Sequence, residues 1–120
     1  MVKLAGARRV IVIDHVKERL AAAKSFGCNI INFDETPKIE EEIYKLEPEG
    51  VDSGIDAAAF RYTKGLFHTV QRAVGLETDS GEILNEALCA VRKFGNIALV
   101  ADYTALTNQF LIGALMYVKF

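Results

Sequence analysis

The sequence predicts an α/β fold, a parallel sheet whose strands are joined by covering helices. Three observations carry that expectation. Short aliphatic runs alternate with stretches that place apolar residues at helical spacing. The links between them are short, which is the grammar of strand–helix–strand units. Glycines stand where the helical stretches stop, at Gly27 and Gly95.

Each element follows from its residues. RVIVID (9–14) is a continuous β-branched run, the pattern of a strand buried on both faces. HVKERLAAAKSF (15–26) repeats Val16, Leu20, Ala23 and Phe26 on one helical stripe, and Gly27 offers the left-handed position that ends it. CNIINF (28–33) is a second strand. Thr36-Pro37 reads as N-cap and first helical residue of a helix buried through Ile39, Ile43 and Leu46. Glu40, Glu41 and Glu42 sit where the helix dipole favours acids.

A turn at 47–50 leads into VDSGIDAAA (51–59), a third strand. TKGLFHTVQRAVG (63–75) has a helical stripe through Leu66, Phe67, Val70 and Val74. A polar loop precedes a helix over 82–93, with Asp79 and Glu82 in capping-box spacing and Gly95 closing it. NIALVA (96–101) is a fourth buried strand. In the tail, a helical turn is expected around Ile112 to Leu115 and a strand from Tyr117 to Phe120.

Composition bounds the function. With 120 residues, 51% of them apolar and 25% charged, the chain is expected to be one domain, residues 1–120. A net charge of -2 argues against a nucleic-acid partner, which needs a basic patch. No apolar run reaches the length of a membrane span, and MVKLAGARR lacks the apolar stretch of a signal peptide. Cys28 and Cys89 form no Cys-x-x-Cys pair; buried, reduced thiols and a cytoplasmic location are the expectation.

The chemistry begins at Asp14. A charge at the end of an aliphatic strand costs free energy unless something uses it. Ligands of open parallel sheets sit outside the carboxyl ends of the strands. That rule groups Asp14, the loop after Asp56 and the loop after Val100 on one edge. Two uses of Asp14 stand open: a cap for the helix starting near His15 or Val16, or an acceptor for the ribose hydroxyls of a bound nucleotide. The glycine-rich turn that precedes such an acid by about 20 residues is not in the sequence. Asp56, followed by small residues, suits a loop-holding role. His68, Tyr62 and Tyr103 suit helix-surface and packing roles. No nucleophile–base set can be assembled.

AGARRVIVIDHVKERLAAAKSFG, GVDSGIDAAAF, RYTKGLFHTVQRAVGLETDSGEILNEALCAVRKFGNIALVADY and TNQFLIGALM together resemble the coenzyme domain of zinc-type medium-chain alcohol dehydrogenases. Within that family the likeness is strongest to glutathione-independent formaldehyde dehydrogenases. The resemblance implies a Rossmann-like parallel sheet with helices on both faces, lacking the first strand and its glycine-rich turn, with Met1 inside the first helix. That strand normally lies between the second and the fourth, so two half-sheets with bare edges are expected. They could pair directly, be filled by a partner chain, or stay partly ordered. A homo-oligomer through exposed strand edges follows from this.

The resemblance also implies site residues. Asp14 becomes the ribose acid, whose charge favours NAD over NADP. Arg19 matches a basic residue near the ribose, with pairing to Glu18 or Asp14 as its plainer role. Ala58, Val100 and Asp102 match loop positions at the nicotinamide end. Zinc belongs to the whole enzymes, and Cys28, Cys89, His15 and His68 match no ligand position. Ala59 and Ala101 stand where the family carries glycine, which bears on cofactor approach. The implied function is the NAD(H)-binding part of a dehydrogenase, inactive by itself, with a nucleotide cofactor and neither nucleic acid nor membrane as partner. The alternative is a stand-alone small α/β protein acting by self-association or partner binding.

Overall fold

The computed structural model describes residues 1–58, 79–80, 82–100, 107–108 and 110–116. The chain divides into two compact units, Met1–Pro48 and Glu49–Phe120. The expected helix over 63–75, the residues Tyr62, His68, Ala59, Ala101, Asp102 and Tyr103, and the expected strand from Tyr117 to Phe120 lie outside the described residues.

In the first unit, β1 (Ile11–Asp14) pairs in parallel with β2 (Asn29–Asn32), Ile11 opposite Asn29 and Asp14 opposite Asn32. The parallel pairing requires a crossover, and α1 (Lys17–Ser25) supplies it. α1 ends as the sequence indicates. Gly27 has φ +79°, its N–H donates to the Lys24 carbonyl at 2.9 Å, and the Cys28 N–H donates to the Ala23 carbonyl at 3.2 Å. Those two bonds form a Schellman motif, which needs a residue that tolerates the left-handed region. α2 (Ile39–Leu46) buries Ile39 completely and Ile43 nearly so, while Leu46 is half-buried.

The second unit contains β3 (Val51–Asp56), β4 (Asp79–Ser80), α3 (Glu82–Ala90), β5 (Val91–Leu99), β6 (Thr107–Asn108) and α4 (Ile112–Leu115). β3 pairs in parallel with β5, and β4 with β6. Leu84 and Leu88 of α3 form a core with Val91 and Ile97 of β5, and Val51, Ala87, Phe110 and Ala114 pack against it.

The α/β class, the parallel pairings and the covering helices are those expected. Several local details differ. α2 begins at Ile39 rather than Pro37, because Glu35 and Thr36 donate their N–H groups to the Asn32 carbonyl in a turn that postpones the helix. α3 ends at Ala90 rather than at residue 93, and Asp79 lies in the strand β4. Val91 is drawn into the ladder opposite Val51.

Gly95 therefore does not close a helix. The step from Val51 to Ser53 on β3 is matched by Val91 to Asn96 on β5, a shift in register within which Phe94, not Gly95, has the positive φ of 61°. Gly95 is needed there for a different reason. A Cβ on it would collide with Val91 Cγ1 and lie 2.8 Å from the Asp52 carbonyl oxygen. The thiols also differ from expectation, since Cys28 is half-buried and Cys89 exposed, neither in a disulfide. β1 is half-buried rather than enclosed on both faces, with Ile13 exposed.

Candidate functional site

Asp14 is the last residue of β1, at the carboxyl end where a parallel sheet presents ligand-binding groups. Its Oδ1 accepts the N–H of His15 at 2.7 Å and of Val16 at 3.1 Å. Both groups precede α1, so the carboxylate anchors the turn leading into the helix. The same oxygen accepts Arg19 Nη2 at 2.9 Å, and Oδ2 accepts Arg19 Nε at 2.8 Å. The guanidinium, one turn into α1, thus grips both oxygens.

Burial works to raise the Asp14 pKa. The Val16 and His15 N–H bonds and Arg19, by hydrogen bond and by charge, outweigh it and hold the carboxyl below its ordinary value of 3.8. Asp14 is therefore an anion near neutral pH, with 21% of its side chain reachable by solvent.

The loop after β2 adds neighbours that the linear sequence does not flag. His15 and Phe33 rings are 4.9 Å apart between centroids, and His15 Nδ1 lies 3.5 Å from Asp34 Oδ2. The cause is register. With Asp14 opposite Asn32, the residues that follow each strand emerge side by side. Only the pairing of the strands could have revealed this.

In the second unit, Asp56 ends β3 and is 2% exposed. Its Oδ1 accepts the Ala58 N–H at 3.1 Å, and its carbonyl accepts the Val100 N–H at 2.8 Å. Ala58 and Val100 are thereby brought to the carboxyl ends of the adjacent strands β3 and β5. Asp56 holds the loop backbone, the role its small neighbours suggest. Of the sequence candidates, the structure joins Asp14 to Arg19 directly and links Ala58 and Val100 through Asp56. Asp102 lies outside the described residues.

The parallel β–α–β unit with an anionic side chain at the strand end is the arrangement into which comparison with known proteins fits. The family model of zinc-binding dehydrogenases matches residues 1–118. The chain belongs to that family. A zinc-type alcohol dehydrogenase-like protein of Schizosaccharomyces pombe is 43% identical over 92% of this chain and 26% of its own length. A glutathione-independent formaldehyde dehydrogenase of Bacillus subtilis is 40% identical over 48% of this chain and 14% of its own. The crystal structure of 2R,3R-butanediol dehydrogenase from Bacillus subtilis superposes with a TM-score of 0.73, at 18% identity, over 98% of this chain and 29% of that one, a likeness of fold. The chain spans about a quarter of the length of the fission-yeast relative.

The family implies two groups, and the described residues answer differently for each. An ionised, partly exposed carboxylate at the end of β1 suits the hydroxyls of a nucleotide ribose. For zinc, the described residues contain no cluster of three or more His, Cys, Asp or Glu side chains. A zinc site needs such a converging set, so no step through zinc is assigned to these residues. Among the described residues no helix is long and apolar enough to cross a membrane.

Proposed function

We propose that this chain is the NAD(H)-binding part of an alcohol or aldehyde dehydrogenase, of the type that includes the formaldehyde dehydrogenases, with Asp14 receiving the adenosine ribose. The observation that carries the reading is the ionised Asp14 carboxylate at the carboxyl end of β1, with α1 crossing directly to a parallel β2. Its charge disfavours a 2′-phosphate, which points to NAD. Arg19 lies at the ribose edge, and Ala58, Val100 and Asp102 serve the nicotinamide end. When bound, the cofactor supplies hydride acceptance at the nicotinamide. The residues of this chain bind and orient it, and turnover belongs to the longer enzymes of the family. Cys28 and Cys89 as thiols outside any disulfide favour the reducing cytosol.

An amide NMR spectrum of the purified chain, alone and with excess NAD, tests this. Dispersed peaks that shift at Asp14, His15, Ala58 and Val100 are expected. Dispersed peaks that do not move would sink the reading and leave Asp14 as an anchor of α1.

Self-association is the second reading, favoured by Ile13, Phe26 and Ile30, which are exposed in and beside the β1–β2 pair. Sedimentation equilibrium is then expected to show dimers or larger species at micromolar concentration. A monomer across the range would remove it.

A further inference from the structure

β1 meets β2 through every second residue. The Val10 carbonyl accepts the Asn29 N–H at 2.9 Å, and the Asp14 carbonyl accepts the Phe33 N–H at 3.2 Å. Successive residues of a strand direct their backbone groups to opposite edges. Val10, Val12 and Asp14 therefore face β2, while Arg9, Ile11 and Ile13 turn N–H and C=O groups to the other edge. Among the described residues no strand pairs with that edge.

Open strand edges are ordinarily blunted by charge, proline, a bulge or a covering loop. β2 has such a device, because the Asn32 carbonyl on its outer edge already accepts the N–H groups of Glu35 and Thr36. The Ile11–Ile13 stretch of β1 carries neither charge nor proline, and its ladder runs without a bulge to Asp14.

Backbone donors and acceptors in strand spacing call for another strand as occupant. A second β1 fits by charge. Arg8, 85% exposed, precedes the strand, and the anionic Asp14 ends it. Antiparallel pairing about a two-fold axis brings the basic end of each strand to the acidic end of the other. Parity narrows the register, since outward-facing residues must meet outward-facing residues. With Ile11 opposite Ile11 of the second copy, Arg9 opposes Ile13 and Arg8 opposes Asp14.

We propose that this chain pairs with a second copy through the open edge of β1, as an antiparallel ladder centred on Ile11, giving a four-stranded sheet β2–β1–β1–β2. This rests on the self-association reading above and deepens it by naming the surface and the register. The contact is small, so dissociation at micromolar concentration is expected.

Amide hydrogen exchange of the full chain, above and below the dissociation constant found by sedimentation equilibrium, tests it. Arg9, Ile11 and Ile13 are expected to exchange at least about tenfold faster on dilution. Val12 and Asp14, bonded to β2, should not change. Ile13→Pro removes an outward N–H and no bond to β2, so it is expected to weaken the dimer at least about tenfold. Arg8→Glu sets like charges opposite one another and is expected to weaken it about tenfold. An amide spectrum confirms that each variant folds; where Ile13→Pro does not, the wild-type exchange pattern decides. A dimer in which those three amides ignore concentration, or which either folded variant leaves intact, overturns this proposal while the self-association reading stands. A monomer at every concentration overturns both.

Discussion

Asp14 and Asp56 occupy equivalent places, each the last residue of a parallel strand in its own unit, and each accepts the N–H two residues on, yet they differ in exposure and in what else they meet. Asp14 keeps a fifth of its side chain in solvent and faces a guanidinium. Asp56 is almost wholly buried and spends a carboxylate oxygen on the backbone of the loop it begins. Position at a strand end therefore does not make an acid a ligand group. Exposure and the remaining partner decide: Asp14 also meets an exposed guanidinium that can yield to a ligand, whereas the backbone N–H groups that both acids hold cannot yield without undoing the turn.

The largest test strikes the packing beneath the buried member of the pair. Leu88, almost fully buried, sits in the core formed by Leu84, Val91 and Ile97. Leu88→Ala is expected to cost about 2–5 kcal/mol, because the transfer term and the residual cavity add. Chemical denaturation would show a lower midpoint with an unchanged slope. A cost below about 1 kcal/mol would mean that α3 and β5 are not packed tightly enough to hold the β3 end closed.

Next in size is Asp56→Ala, which leaves the Ala58 N–H without its acceptor and is expected to cost about 1–3 kcal/mol. Asp56→Asn retains an oxygen acceptor at the same place and should recover most of that loss. Equal destabilisation by both variants would show that the negative charge, not the loop bond, is what the site needs. That outcome would erase the contrast with Asp14.

Asp14→Ala removes an anchor from the turn before α1 and is expected to cost about 0.5–2 kcal/mol, in the range of lost helix caps. It should also abolish the NAD-induced amide shifts, which Asp56→Asn should leave in place. This double readout sharpens the comparison, because a purely structural Asp14 would lower the denaturation midpoint without changing the titration.

The sequence showed some of this plainly. The end of α1 was legible because Gly27 carries a local conformational need that no distant residue alters. The pairing of Arg19 was legible only in part, since Glu18 and Asp14 both stood as partners and the structure shows the contact with Asp14. The α3–β5 boundary was not legible. Residues 91–95 continue the helical pattern, and only the ladder partner Val51, forty positions upstream, draws Val91 out of it. Phe33 and Asp34 escaped notice for the same reason, since their approach to His15 depends on register between strands. Signals that live within a turn can be read from the chain; those that need a partner strand cannot.

The smallest effect is the acid limb of stability, and its sign distinguishes the exposed carboxylate. Burial alone would raise the Asp14 pKa, yet the two N–H bonds and Arg19 leave it below 3.8 in the folded chain. Above 3.8 the native state gains the full benefit of the ionised group. As the pH falls below that value the unfolded chain takes up the proton more readily, and the increment shrinks, vanishing once the folded-state value is passed. Asp14→Asn should remove this component, so the wild-type advantage over the variant measured by denaturation narrows on acidification below 3.8. Added salt should narrow it too, because Arg19 is exposed and its attraction is screened. A gap independent of both pH and salt would mean that Asp14 is held by geometry alone, as Asp56 holds its loop, and the two strand ends would no longer differ in kind.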